Sequence, residues 1–302
     1  MPFRSMTQAD IDAGLRLCRL SRWNQTARDW ARFLDGTSGR AIVATTADGH
    51  VTGSVATTRF RRWRDDAGVD FGARPPILVP DADVAWLSMV LVEPESRGQG
   101  LGTALLERGL ASVADVPVVG LDATPLGRPL YEKLGFVEAG TLTRLERLSH
   151  APVPAGSVTG VRPATPGDLA AIAVVDARAT GLDRRALLAW LIEGAPDLAW
   201  VHEGPAGIDG VLLGRPGHQF THLGPVVAPS TGVALGLLRS CLASAAPPAI
   251  VIDIVGGRAS WRDGLEALGF TAQRPFTRMY RGDGRPVADP ARLFAIVGPE
   301  FG

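Results

Sequence analysis

Residues 92–110 read VEPESRGQGLGTALLERGL. Three glycines stand at alternate positions, Gly98, Gly100 and Gly102, with Arg97 just before them and an apolar-periodic segment just after. Upstream, VAWLSMVLV (84–92) is apolar at nearly every position, the pattern of a central strand buried on both faces. Pro94 ends that strand, and the glycines allow backbone conformations closed to other residues and close approach of a ligand. The helix that follows presents free N–H groups and the positive end of its dipole. Strand, glycine turn and helix N-terminus together form a seat for an anion, best suited to a phosphate or pyrophosphate, and Arg97 can add a charge-assisted contact. The Walker pattern is absent, because no Lys-Ser or Lys-Thr follows. The dinucleotide pattern GxGxxG fails as well, since residue 103 is Thr. The plainer alternative is a flexible strand-to-helix turn.

The chain has 302 residues, enough for one large domain or two of ordinary size. Its formal net charge is zero, which speaks against a broad nucleic-acid-binding surface. Cys18 and Cys241 lie far apart without metal-ligand spacing, so no metal is expected and a reducing, cytoplasmic setting is the reading. No apolar run is long enough to span a membrane, and the first residues lack the apolar centre of a signal peptide.

Three pairs of segments repeat in the same order. FRSMTQADI (3–11) resembles VRPATPGDL (161–169), LVEP (91–94) resembles VVAP (226–229), and LYEKLGF (130–136) resembles GLEALGF (264–270). Three matches in order argue for two copies of one domain. The Pro-, Gly- and Ser-containing stretch 149–160 reads as a linker between a first domain at 1–148 and a second at 161–282. Residues 283–302 read as a tail that packs back onto the body. Within the first copy the pattern predicts helices at 7–21, 24–34, 100–113 and 127–134. Strands are predicted at 40–46, 51–60, 84–92, 117–122 and 136–147, with a loop at 61–80. The order is mixed α/β.

The string V-E-P-x-x-R-G-x-G-x-G, on a buried strand and opening a helix, resembles the acetyl-CoA motif of the GNAT superfamily of N-acyltransferases. LYEKLGF resembles that family's second signature. WNQ (23–25), LDATPLGRPLYEKLGF (121–136), RPFTRMYRG (274–282) and GPEFG (298–302) further resemble a bacterial group of tandem GNAT proteins. The resemblance implies two GNAT-like domains, each a mixed, partly splayed sheet flanked by helices. It implies acetyl-CoA as co-substrate, lying beside strand 84–92. Val90, Leu91 and Val92 would pair with its pantetheine arm through their backbones. Arg97, Gly98, Gln99, Gly100, Leu101, Gly102 and Thr103 would hold its pyrophosphate. It also implies Tyr131 as general acid toward the leaving thiolate. In the second copy Gly232, Val233 and Leu235 stand opposite Arg97, Gly98 and Gly100, and Leu265 stands opposite Tyr131. Both the cradle and the acid are therefore lost there.

The base is not legible. Glu93, Asp81 and Asp83 are as consistent with capping or solvated loops as with catalysis, and Asp122 reads as organising its turn. Arg128 reads either as a phosphate contact or as an exposed first-turn residue. Trp23, Asn24 and Gln25 suit the lining of a small-molecule pocket. Equally, Asn24 could cap the second helix with Trp23 as its staple. Ser88 lies on the central strand beside the expected acyl position, whereas Trp86 reads as core. In the second copy His218, His222 and Asp253 are the most chemically able side chains, although His222, opening the strand HLGPVV, reads first as a buried core histidine and second as a substrate contact. The expected activity is acetyl transfer to a primary amine of a small molecule. A non-catalytic acyl-CoA sensor is the alternative.

Overall fold

The computed structural model describes all residues except 1, 37, 64–82, 149–152, 154–157, 246, 248, 284–288 and 290. Asp81, most of the predicted loop at 61–80 and most of the predicted linker lie outside the described residues.

Apart from one two-residue strand added in the second, both copies fold through the same sequence of elements. The first runs β1 (Phe3–Ser5), α1 (Ile11–Leu20), α2 (Ala27–Phe33), β2 (Gly39–Thr45), β3 (Val51–Arg62), β4 (Val84–Val92), α3 (Leu101–Ala111), β5 (Val118–Ala123), α4 (Arg128–Lys133) and β6 (Val137–Arg147). The second runs β7 (Val161–Pro163), α5 (Leu169–Thr180), a two-residue β8 (Leu182–Asp183), α6 (Arg185–Gly194), β9 (Trp200–Gly204), β10 (Gly207–Arg215), β11 (Thr221–Val227), α7 (Thr231–Ala245), β12 (Ile250–Val255), α8 (Ala259–Ala267) and β13 (Thr271–Gly282). The tail then adds β14 (Leu293–Ala295).

The repeated Thr-x-x-Asp segments do open helices, but by way of a single 3-10 turn, so α1 and α5 begin four residues after the threonine. Asp10 accepts from the Thr7 N–H at 2.8 Å and Asp168 from the Thr165 N–H at 2.7 Å, closing one half of a capping box in each copy. Arg4 and Arg162, at matching positions, then grip Asp10 and Asp168. The second helix is capped by Thr26 with Asp29 and not by Asn24.

The two copies are contiguous in sequence but interleaved in space. All strands but β8, which pairs only with β3, follow one path, β1-β2-β3-β4-β5-β13-β6-β12-β14-β11-β10-β9-β7. Each copy's last strand crosses into the other. β13 lies between β5 and β6, pairing Arg278 with Asp122 and Arg274 with Arg144, while β6 pairs with β12, setting Arg144 against Asp253. Two expected splayed sheets are thus one continuous sheet. One large core joins the halves, bringing Leu17, Trp30 and Phe33 together with Leu188, Leu213 and Phe301.

Asn24 is a second fastener. Its Oδ1 accepts from the Gln219 and Phe220 N–H groups at 2.8 and 3.0 Å, and its Nδ2 donates to the Phe220 carbonyl at 2.9 Å. The His218 N–H donates to the Asn24 carbonyl at 2.7 Å.

Because each half lacks a central strand without the other, calorimetry of the whole chain is expected to show a single unfolding transition. Fragments 1–148 and 161–302 expressed apart are expected to be insoluble, and to yield a folded complex when co-expressed. Asn24→Ala leaves three backbone groups without their partner and is expected to lower the unfolding free energy by about 2 kcal/mol, read from the urea midpoint.

Candidate active site

β4 and β5 run parallel for only three pairs, ending at Trp86–Gly120. Side-chain volume sets that last contact, since a Cβ on Gly120 would sit 2.5 Å from the Trp86 ring. Trp86 is core, as its sequence context suggests, and donates to the Pro299 carbonyl at 2.8 Å. Beyond it β4 carries a bulge. Ser54 faces Leu91 while Ala56 faces Ser88, so one extra residue is accommodated, and Met89 takes a φ of +52°. Ser54 Oγ holds the Met89 carbonyl at 2.8 Å. The bulge turns β4 away from β5, and from Leu87 to Val92 the edge facing β5 has no strand beside it among the described residues.

The glycine turn closes one end of this split. Gly98 and Gly100 have φ of +75° and +78°, and a Cβ on either would meet nothing within 4 Å, so the cradle faces open space. The first N–H of the helical ladder is that of Ala104, bonded to the Gly100 carbonyl at 3.0 Å. The N–H groups of Leu101, Gly102 and Thr103 therefore point out of the helix end. Arg97 donates Nε to the Val92 carbonyl at 3.0 Å, which orients its guanidinium beside the turn. Gln99 instead donates its side-chain amide to the Glu95 carbonyl.

The split opens into a cavity lined by both copies. From the first come Trp23, Asn24, Gln25, Ser88, Val90, Asp122 and Tyr131; from the second come Arg274 and Phe276, and from the tail Glu300. The cavity gathers Val90, Tyr131 and the four acceptor candidates, while Arg97–Thr103 lie at the glycine turn. Asn24 is a lining residue whose amide is engaged as the fastener described above. Gln25 Oε1 and Ser88 Oγ, by contrast, are buried without a hydrogen-bond partner. Two such orphans facing one cavity are groups that a ligand would satisfy. Tyr131 packs edge-on against Phe136, and burial pushes its phenol up to about 12, so it holds its proton at neutral pH.

Two residues, Asp122 and Glu93, depart from their sequence readings, and two, Arg128 and His222, take the plainer of theirs. Asp122 does not organise its turn, which is closed by Thr124 Oγ1 accepting from the Gly127 N–H; it forms a bidentate pair with Arg278 at 2.8 and 2.9 Å. Burial pushes the Asp122 carboxyl up against the pull of Arg278. Glu93 is neither solvated nor a cap, since it holds Arg16 and His50. Arg128 is the first residue of α4, with its side chain exposed, and pairs with Glu132 and Glu138. His222 is buried behind the cavity wall, 2.9 Å from Asp253 but off the line of a good hydrogen bond, and burial lowers its pKa.

Arg144, Arg274, Phe276 and Glu300 were not assigned a role from sequence, although RPFTRMYRG and GPEFG contain three of them. Arg144 and Asp253 form a bidentate pair with both bonds at 2.7 Å. Arg215 joins Asp29, at 2.8 Å, to Glu300.

The second copy repeats the bulge, where Leu212 faces Val226 and Gly214 faces Leu223, but not the opening. β14 fills the gap, pairing with Val226 and Val227 on β11 and with Ile254 on β12. Val226 and Val227 are the counterparts of Leu91 and Val92. At the start of α7, Ser230 Oγ accepts from the Val233 N–H at 3.3 Å, taking the place an anion would need. Among the described residues no group of three metal-ligating side chains occurs, and no helix is long and apolar enough to cross a membrane.

Known proteins share this plan. Residues 38–138 and 172–295 each match a model of the acetyltransferase (GNAT) domain. The chain is 26% identical over 219 residues to the uncharacterized N-acetyltransferase YitH of Bacillus subtilis, covering 72% of this chain and 76% of that protein. It is 28% identical over 221 residues to the holothin acyltransferase of a Pseudoalteromonas species, covering 73% and 74%. Among solved structures, a putative acetyltransferase from Pyrococcus horikoshii superposes with a TM-score of 0.76 at 19% identity, covering 100% of this chain and 95% of that one. A tandem GNAT protein from the clavulanic acid biosynthesis pathway superposes with a TM-score of 0.61 at 16% identity, covering 94% and 98%. With two GNAT domains in series, one with an open split and glycine cradle and one with its split filled, this chain is a tandem member of the GNAT acyltransferase family.

Proposed function

We propose that the protein transfers an acetyl group from acetyl-CoA to a primary amine of a small acceptor, in a single site built on the first domain. The observation that carries this reading is the edge of β4 left unpaired among the described residues, which runs from the cavity at Ser88 and Val90 to Val92, where the chain leads into the glycine turn. The residues present fit the co-substrate. Gly98 and Gly100 leave room for a phosphate, and the N–H groups of Leu101 to Thr103 face it. The free edge of β4 around Val90 suits an extended amide-bearing arm, since a strand edge offers both donors and acceptors.

Acetyl-CoA supplies the activated acyl group when bound. A backbone N–H of the bulged β4 edge polarises its carbonyl, as oxyanion-binding donors do. Tyr131, protonated at neutral pH, gives its proton to the departing thiolate. The cavity offers two carboxylates as proton acceptors for the amine. Glu300 is held below the usual carboxylate range by Arg215, His222 and Arg144 despite its burial, whereas burial raises Asp122. Asp122 is therefore the better base.

Titration with acetyl-CoA by calorimetry is expected to give one site per chain, abolished by Arg97→Glu combined with Gly100→Trp. Two sites would show that β14 yields in the second domain, and none would remove the reading. Tight binding with no CoA thiol released across an amine panel would instead support a sensor. Tyr131→Phe is expected to lower kcat by about 100-fold while acetyl-CoA affinity stays within about twofold; wild-type turnover would remove the general-acid role.

A further inference from the structure

Arg274 is the unusual cation of the cavity. It lies on β13 just past a register shift, directly opposite Arg144 on β6, and both guanidiniums approach the Phe276 ring, at 5.3 and 5.4 Å. Like charges directly opposite in an antiparallel pair are destabilising unless neutralised. Arg144 is neutralised by Asp253 on its other side. The same row of the sheet holds no second carboxylate for Arg274, and among the described residues no ion pair is formed by it. Its Nε is buried without a hydrogen-bond partner. Burial and Arg144 together pull its pKa down to about 10, with Asp253 and Glu300 opposing. By contrast, Arg278, its neighbour on β13, and Arg215, behind the cavity wall, have carboxylate partners.

Stability does not explain a partly buried, unpaired guanidinium facing a cavity beside a second arginine, but an anionic ligand does. The rest of the lining points to a ligand with a second polar end. Gln25 Oε1 and Ser88 Oγ lack partners, and Asp122 and Glu300 supply negative charge for an amine.

We propose that the acceptor is a small amino carboxylate, with its carboxylate on the Arg274 guanidinium and its amine toward the split, so that the second domain sets the acceptor specificity of the first. This rests on the acetyltransferase reading above. Arg274 would act by charge-assisted, paired hydrogen bonds, which a lysine reproduces only in part.

The test uses the full-length protein saturated with CoA, and N-acetylated amino acids as product probes, so that it needs no knowledge of the natural acceptor. N-acetyl derivatives of the common amino acids and of β-alanine are titrated by calorimetry beside their carboxamides. At least one acid is expected to bind tenfold or more tighter than its own carboxamide. Arg274→Met should bring acid and carboxamide within about twofold, and Arg274→Lys should keep part of the difference. An unchanged circular dichroism spectrum and CoA affinity show that the variants are folded. The proposal is overturned if no acid binds at millimolar concentration, if acid and carboxamide bind alike, or if Arg274→Met keeps the wild-type preference. Failure of the acetyltransferase reading shows separately, as wild-type protein that does not bind CoA in the preceding titration.

Discussion

The reciprocal exchange of β6 and β13 is the constraint on which the rest depends. A strand in the middle of a sheet must satisfy its backbone groups on both edges, and each of these strands does so with partners from both copies. The exchange brings Arg274, Phe276 and Arg278 of the second copy to the open split of the first. It also sets Arg144 of the first copy against Asp253 of the second. Side chains separated by more than a hundred residues become cross-strand neighbours, so the cavity belongs to the pair of domains and to neither alone.

The same local architecture has two outcomes in one molecule. Both domains bulge the strand that precedes the glycine-turn helix or its counterpart, and both therefore open a gap beside it. In the first domain Gly120 and Trp86 end the pairing and the gap stays open. In the second, β14 hydrogen-bonds into the gap and Ser230 caps the helix. After filling one split the tail contributes to the other, with Pro299 bonded to Trp86, Glu300 on the cavity and Phe301 stacked on Phe33 at 5.3 Å.

Two groups of buried charge sit where the copies meet. Asp29 is both the capping partner of Thr26 and an anchor for Arg215, which holds Glu300 in turn. Arg144, Asp253 and His222 form a second group. Removing one partner from such a buried pair typically costs about 3–5 kcal/mol, because the other is left charged in a poorly solvating place. These pairs define how the halves register against each other. Arg274, with no carboxylate partner among the described residues, stands apart from that arrangement.

The sequence by itself determined what depends on neighbours a few residues apart. The glycine cradle, the buried strand before it, the Thr-x-x-Asp helix starts and the repeat of the whole plan were all legible, because turn geometry, capping and periodicity are set locally. So was the loss of the cradle in the second copy, since glycines at fixed positions are either present or absent. Only the tertiary structure decided the strand exchange, the filling of the second split, the fastening of Asn24 to the 218–220 segment and the pairing of Asp122 with Arg278. Each joins residues 41 to 196 positions apart. A strand's pattern of apolar and polar residues specifies that it pairs and which face is buried, but not which edge it joins. That choice comes from the packing of the complete chain, and here it determines which side chains face the acceptor.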